Sequence, residues 1–257
     1  MSQSVGRALQ ILIQLGDGPA NLDELAAATG VHKTTVLRLL RTLAQEQFVV
    51  RDSSHRFYLG SRVFELSSRA LDQREVRRVA GPHLAAFNRK HGRTTHLAVL
   101  EDGEAVYIDK LESHDQIRMY SRIGLHPPLH SSAVGKVLLA DLPEAERTDI
   151  VSHLSMSPTT PNTITDPDTL LAELDAVRQQ GWAHDREENE PSINCIAAPV
   201  RGASGRTVAA VSVSVPDVVL TYDQLLNLLP DLLEVTTAIS QDFGWQPDLN
   251  HDKELTS

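Results

Sequence analysis

Residues 21–59, NLDELAAATGVHKTTVLRLLRTLAQEQFVVRDSSHRFYL, decide the fold of the N-terminal part of the chain. Asn21 is a favourable helix cap, and Gly30 supplies the left-handed backbone that ends a helix of about eight residues. Another helix follows at once, because Val36, Leu40 and their apolar neighbours recur at helical spacing. A short helix, a glycine turn and a polar-faced helix are typical of a helix-turn-helix.

A hairpin is predicted directly after these helices. Phe48–Arg51 and Arg56–Leu59 are rich in strand-forming residues and are separated by four turn-forming residues. A further helix is expected upstream, from Val5 to Leu15, because its apolar residues recur at helical spacing and a Gly-Pro turn ends it. Residues 1–61 are therefore predicted to form a winged helix-turn-helix domain.

Charge is distributed unevenly along the chain. The whole sequence carries a net charge of -10, which is unusual for a protein that meets phosphates. Residues 33–62 nevertheless hold six basic and two acidic residues, and such a local excess favours contact with a polyanion. We therefore expect this domain to bind double-stranded DNA through one helix face and the hairpin. The predicted DNA contacts are Arg7, Lys33, Thr34, Thr35, Arg38, Arg41, Arg51 and Arg56.

The rest of the chain mixes helical and strand patterns. A linker helix is predicted over 62–80, where Gly81–Pro82 ends it, and the domain that follows is predicted over 81–245. Its strands are expected at 95–100, 105–110, 116–122, 195–201 and 207–215, and its helices at 83–91, 133–140, 144–154, 167–180 and 222–243. This order indicates an α+β fold with an antiparallel sheet, and residues 246–257 are expected to be disordered.

Composition limits the classes of protein to consider. At 41% hydrophobic residues the chain can bury real cores, yet no apolar run approaches the roughly 18 to 20 residues of a membrane span. The N-terminus lacks the order of a signal peptide, so a cytoplasmic location without a membrane partner is expected. The single cysteine, Cys195, excludes an intrachain disulfide and a cysteine-clustered zinc site. No cofactor is expected.

One late strand is a candidate wall of a binding pocket. Ser212 and Ser214 are two residues apart in an otherwise apolar strand, so their hydroxyls share one face. Hydroxyls on a buried face need partners, which a ligand can supply. The alternative is that this face of the strand is exposed to solvent.

A helix start is a second candidate for ligand contact. Ala133 and Gly135 open a helix after two serines, where free backbone N–H groups can hold a carboxylate. An ordinary helix cap explains the same residues equally well. Met119 and Leu129 are candidates for an apolar wall, although core packing is the commoner use of such residues.

The sequence resembles the IclR family of bacterial regulators from about Ser4 to Trp245. In the first domain the likeness is carried by SVGRAL at 4–9, VHKTTVLRLL at 31–40 and YLG at 58–60. In the second it is carried by PLHSSAVGK at 128–136, GW at 181–182, Asp185, EE at 187–188 and CIAAPV at 195–200. These motifs run through nearly the whole chain, which makes the resemblance specific.

The resemblance implies a GAF-like effector-binding domain after the linker. It places a small carboxylate or related metabolite against Asp185, Cys195, Ser212 and Ser214. It also implies a homodimer, in some members a dimer of dimers, that binds operator DNA and regulates a catabolic operon, with repression favoured over activation. Sugar acids, aromatic acids and glyoxylate-like molecules all remain open as effectors.

Two other classes of function compete with a regulator. A small hydrolase would use Cys195 or Ser212 as nucleophile, but the sequence has no Gly-x-Ser-x-Gly elbow. A sensor that acts only through protein contacts would not need a basic third helix. His126 and His130 have a spacing that binds metal on a helix, yet two prolines lie between them. We therefore expect neither an enzyme nor a metal site.

Overall fold

The computed structural model describes residues 3–72, 75–115, 117 and 119–246. The chain divides into two compact units, Met1–Gln73 and Arg74–Ser257, and this division falls inside the predicted linker. The predicted disordered tail lies outside the described residues from position 247 onward. No helix in the described ranges is long and apolar enough to cross a membrane.

The first unit is a helical domain with a two-stranded wing. Its elements are α1 (Gln3–Gly16), α2 (Leu22–Thr29), α3 (Lys33–Gln45), β1 (Val49–Arg51), β2 (Phe57–Leu59) and α4 (Ser61–Asp72). Ile11, Leu25, Val36 and Leu40 are almost fully buried and join the helices in one core with residues of the wing. The predicted winged helix-turn-helix is thereby confirmed.

Local signals fix the turn between α2 and α3. The Asn21 side chain accepts hydrogen bonds from the backbone N–H groups of Asp23 and Glu24, at 2.9 and 3.0 Å. The Glu24 carboxylate accepts from the Asn21 N–H at 2.7 Å, which completes a capping box. Gly30 ends α2 with φ of 63°, as the sequence predicts.

The second unit is a five-stranded antiparallel sheet between two layers of helices. Its elements are α5 (Glu75–His91), β3 (Thr94–Glu101), β4 (Glu104–Leu111), α6 (Ala133–Ala140), α7 (Glu144–His153), α8 (Pro167–Gln180), β5 (Ala183–Arg186), β6 (Ile193–Arg201), β7 (Thr207–Pro216), α9 (Tyr222–Leu226) and α10 (Leu229–Asp242). The strand order is β4-β3-β7-β6-β5. This arrangement confirms the predicted α+β fold.

Alternation along β7 separates two cores. Val211 and Val213 pack with α5 and α10 on one face of the sheet. Ala210 packs with α6 and α8 on the other face. Because side chains alternate along a strand, Ser212 and Ser214 belong to the same face as Ala210, the face that α6 covers.

Three predicted elements are wrong. The helix α5 runs through Gly81–Pro82, because its buried residues hold it against the sheet despite the hydrogen bond that proline removes. Ile117 and 119–122 form loop rather than strand, and Gln116 and Arg118 lie outside the described residues. The closing helix splits into α9 and α10, because Pro230 suits a helix start.

The edge strand β5 was not predicted. It has only four residues, and three of them, His184, Asp185 and Arg186, are polar. Burial alternates along the strand, with Ala183 and Asp185 buried, but a buried aspartate hides this alternation in a sequence that is already too short to distinguish from a loop.

Candidate functional sites

Helix α3 presents a polar face beside a buried one. Val36 and Leu40 face the core, whereas Thr34, Arg38 and Arg41 are exposed. His32 caps the helix, since its ring nitrogen Nδ1 accepts from the Thr34 backbone N–H at 3.4 Å. The exposed face therefore offers hydroxyl and guanidinium groups that suit base edges and phosphates.

The other predicted DNA contacts have different surroundings. Lys33 pairs with Asp23 at 2.6 Å, and both side chains are more than half exposed, so water and salt weaken this pair. Thr35 is half-buried in the first turn of α3. Arg7 is half-buried on α1.

The two arginines of the wing are not equivalent. Arg56 donates to the Pro19 carbonyl oxygen and to Glu24 Oε2 at 3.2 Å, and it thus ties the hairpin to the start of α2. Arg51 is exposed, with its guanidinium 5.3 Å from the centre of the Phe57 ring. Arg51 is therefore freer than Arg56 to contact a partner.

An uncovered apolar groove lies between α1 and α3. Its volume is about 470 Å³, and Leu9, Leu39 and Phe48 are among its lining residues. On α1, Val5, Leu9 and Ile13 are 59%, 54% and 72% exposed. Such a continuous apolar face on one helix marks a surface for protein contact.

Strand register brings the second candidate site together. Asp185 on β5 is opposite Cys195 on β6, and Cys195 is opposite Ser214 on β7. Ser212, one step along the same face of β7, is opposite His96 on β3. Residues distant in sequence thus form one polar patch on the sheet face that α6 covers.

This patch is the floor of a partly open cavity of about 230 Å³. Six of the predicted contacts line it: Met119, Ala133, Asp185, Cys195, Ser212 and Ser214. Ser212 and Ser214 are 2% and 4% exposed, so the alternative of a solvent-exposed face is wrong. Cys195 Sγ donates to Ser214 Oγ at 3.2 Å, which orients both groups.

The structure places Gly135 and Leu129 behind the cavity rather than in its lining. The Gly135 N–H donates to Ser132 Oγ at 3.2 Å, which is an ordinary helix cap. A Cβ on Gly135 would lie 2.6 Å from Leu129 Cα, so glycine here permits close packing. Leu129 is buried in the core beneath α6. The backbone N–H groups of Ala133 and Val134 belong to the first turn of α6, which has no internal acceptors for them.

Burial sets the protonation of the floor. Asp185 is 2% exposed, and burial raises its pKa to about 7 although the Glu188 and Asn189 N–H groups donate to it at 2.7 and 3.2 Å. Burial also raises the pKa of the Cys195 thiol well above its ordinary value. A neutral thiol is a weak nucleophile, so this geometry supports binding and not covalent catalysis.

A buried ion pair holds the loop that orients Asp185. Lys136 is fully buried, and its Nζ lies 2.8 Å from Glu188 Oε1 and 3.3 Å from Glu173 Oε1. Glu188 is also the residue whose N–H donates to Asp185. Lys136, a buried residue of α6, therefore holds the turn after β5 in place through its ion pair with Glu188.

Several lining residues were not predicted from the sequence. They include His96, Tyr107, Ser121, Leu125, Asn189 and Glu190. The alternation of side chains along β3 could have identified His96, because this residue pairs with Ser212 once β3 is placed beside β7. Ser121 could not be identified in this way, since the sequence predicts a strand where the structure has the loop that contains it. Within the described ranges, no group of three or more His, Cys, Asp or Glu side chains could hold a metal ion.

Comparison with known proteins decides the family. The IclR helix-turn-helix domain matches residues 4–53, and the bacterial transcriptional regulator IclR C-terminal domain matches residues 68–241. The chain belongs to the IclR family. It is therefore a DNA-binding transcriptional regulator with an effector domain, and not an enzyme.

Individual IclR regulators resemble the chain over nearly its whole length. The HTH-type transcriptional regulator KdgR of Dickeya chrysanthemi is 35% identical over 94% of this chain and 80% of its own. The HTH-type transcriptional repressor AllR of Salmonella typhimurium is 32% identical over 96% of this chain and 92% of its own. The crystal structure of Thermotoga maritima IclR has a TM-score of 0.80 and 32% identity, and the match covers 95% of this chain and 100% of that one.

Proposed function

We propose that this IclR regulator is a cytoplasmic repressor of a catabolic operon whose effector, a small carboxylate, binds in the cavity above β5, β6 and β7. The observation that carries the proposal is the row of Asp185, Cys195 and Ser214 on the cavity floor, extended by Ser212. AllR, a relative across 96% of the chain, is named a repressor, which favours repression here.

The lining of the cavity suits a carboxylate that is held by neutral donors. Ser212, Ser214 and the start of α6 offer hydroxyl and backbone N–H groups, and the helix end adds positive potential. No lysine or arginine is present among the described residues that line the cavity. An anion there is stabilised by hydrogen bonds rather than by an ion pair.

The properties of the DNA-binding unit favour recognition of DNA by two copies of the domain. One recognition helix reads only a few base pairs, whereas two related by a twofold axis read half-sites about one helical turn apart. The groove between α1 and α3, with Leu9 and Ile13 exposed on α1, provides an apolar face for such pairing. We infer a homodimer, which can pair again into a dimer of dimers.

The test is binding of the purified protein to its own promoter DNA across a salt series. Gluconate, glyoxylate and 4-hydroxybenzoate serve as sugar-acid, small and aromatic carboxylate probes. We expect specific, salt-sensitive binding that one probe weakens at constant salt. The absence of specific binding under every condition would overturn the proposal, and binding that no carboxylate alters would overturn the effector class.

A further inference from the structure

His96 lies at the junction between the floor of the cavity and its cover. It is on β3 and is 1% exposed. Its Nε2 is 2.7 Å from Ser121 Oγ in the loop above the cavity, and its Nδ1 is 3.4 Å from Ser212 Oγ on the floor. The ring stacks on Tyr107 with centroids 4.4 Å apart, which fixes its plane.

The His96 ring is neutral in the folded protein. Burial lowers its pKa to about 3, and the nearby charge of Lys110 acts in the same direction. A neutral imidazole has one N–H donor and one acceptor nitrogen. Ser121 faces Nε2 and Ser212 faces Nδ1, at opposite ends of the ring. If one of these nitrogens changes from hydrogen-bond acceptor to donor, the other must change from donor to acceptor.

The loop segment 119–121 has two side-chain anchors on the sheet among the described residues. One is His96, through Ser121 Oγ. The other is Lys110, whose Nζ donates to the carbonyl oxygens of Met119 and Ser121 at 3.0 and 2.6 Å. These bonds join Lys110 to the loop and not to the floor of the cavity, whereas His96 contacts both the floor and the loop.

We propose that His96 is a positioning residue that couples Ser212 on the cavity floor to Ser121 on the covering segment 119–121. The coupling deepens the effector role and rests on the proposed function for its biological meaning. An effector carboxylate that accepts a hydrogen bond from the Ser212 hydroxyl leaves Ser212 Oγ to accept from Nδ1–H. The Nε2 lone pair then accepts from the Ser121 O–H, and the ring neither gains nor loses a proton overall.

This arrangement makes the hydrogen bonding of segment 119–121 depend on how a ligand binds at Ser212. A ligand that engages Ser212 selects one ring tautomer, and that tautomer selects one orientation of the Ser121 hydroxyl. A ligand that fills the cavity without bonding Ser212 leaves both tautomers available. His96 thus favours effectors with an acceptor group at Ser212, although the ring need not touch the effector.

A double-mutant cycle in the ligand-free full chain tests the coupling. Ser121→Ala, Ser212→Ala and the double variant are compared by hydrogen exchange of the backbone amides of 119–125. Ser113→Ala is the matched control, because this exposed hydroxyl contacts only the Ile117 carbonyl among the described residues, at 3.5 Å. A cycle isolates the energetic link between two side chains that do not bond to each other.

Ser121→Ala is expected to speed exchange in this segment about threefold to tenfold, because one anchoring hydrogen bond is lost. Ser212→Ala is expected to speed it as well, and the double variant to add little to Ser121→Ala. Unchanged exchange in Ser212→Ala, or effects that simply multiply, would overturn the coupling. The Ser113→Ala control should match the wild type.

The ring nitrogens give a readout that a purely structural role would not move. In protein labelled with ¹⁵N-histidine, Ser212→Ala should change the Nδ1 and Nε2 shifts of His96 while the ring stays neutral between pH 5 and pH 8. Identical shifts in both proteins would overturn the proposal. Since the ligand-free protein suffices, failure of the three carboxylate probes to bind would count against the proposed effector and not against this coupling.

Discussion

Asp185 and Cys195 stand directly opposite each other on β5 and β6, the two strands at one edge of the sheet. The pair brings a carboxyl of raised pKa beside a thiol of raised pKa in the lining of the cavity. Ionisation of either group costs free energy there, because burial removes the water that would solvate the charge. The site is thus built to hydrogen-bond a ligand rather than to attack one.

The raised pKa of Asp185 predicts how stability depends on pH. Its folded pKa of about 7 exceeds the ordinary aspartate value of 3.8, so its stabilising contribution is complete below pH 3.8 and is lost as pH rises toward 7. Asp185→Asn removes this loss. Relative to the variant, the wild type should lose up to about 1.4 kcal/mol of unfolding free energy per pH unit between the two values.

The measurement is urea unfolding of both proteins at pH 5, 6, 7 and 8. Asp17→Asn, in the exposed turn after α1, is the control and should show no such divergence from the wild type. A constant difference between wild type and Asp185→Asn at all four pH values would contradict the assignment.

Arg38→Ala is expected to weaken binding to promoter DNA by on the order of 1 to 3 kcal/mol if the guanidinium makes a bidentate base contact. Effector binding and thermal stability should not change, because Arg38 is exposed on α3. Arg178→Ala, an exposed change of equal charge on α8, is the control for net charge. Fluorescence anisotropy at fixed salt checks this, and wild-type affinity in Arg38→Ala would refute the contact.

The two wing arginines should behave differently. Arg56→Ala loses its bonds to Glu24 and to the Pro19 carbonyl, and it should destabilise the first unit by about 1 kcal/mol. Arg51→Ala should leave stability unchanged. It should also reduce the slope of log binding constant against log salt concentration by about 1, as expected for the loss of one phosphate contact. Calorimetric melting and salt titrations separate these effects. Equal losses of stability in both variants would contradict the distinction.

Gly135→Ala tests the close packing at the start of α6. The added methyl would lie 2.6 Å from Leu129 Cα and 2.9 Å from the Pro128 carbonyl oxygen, both of which are backbone atoms. We expect a loss of about 1 to 3 kcal/mol in unfolding free energy. Gly81→Ala is the matched control, since its methyl would meet no atom within 4 Å, and it should be neutral or stabilising. A neutral Gly135→Ala would show that the helix start can shift.

The features that the sequence predicts correctly are those in which local chemistry and periodicity coincide. The helix cap at Asn21, the left-handed Gly30 and the alternation that places Ser212 and Ser214 on one face are all local signals, and the structure confirms each of them. The fold class followed from the order of such segments. The polar face of α3 was visible in the same way.

The remaining features depend on tertiary structure. Pro82 lies inside α5 because contacts with the sheet outweigh its local preference. The loop from 119 to 122 is not a strand because its carbonyls bond to Lys110 rather than to a neighbouring strand. His96 enters the cavity only through its pairing with Ser212, which no local pattern specifies.

The most direct test of the regulator model measures promoter binding by the wild type and by Ser214→Ala over a titration with the carboxylate that alters the wild type. Ser214 is buried on the cavity floor in the second unit, far in sequence from α3. We predict equal DNA affinity without effector and a response in Ser214→Ala that needs at least about tenfold more carboxylate. Superimposable titrations of the two proteins would show that the cavity does not control DNA binding.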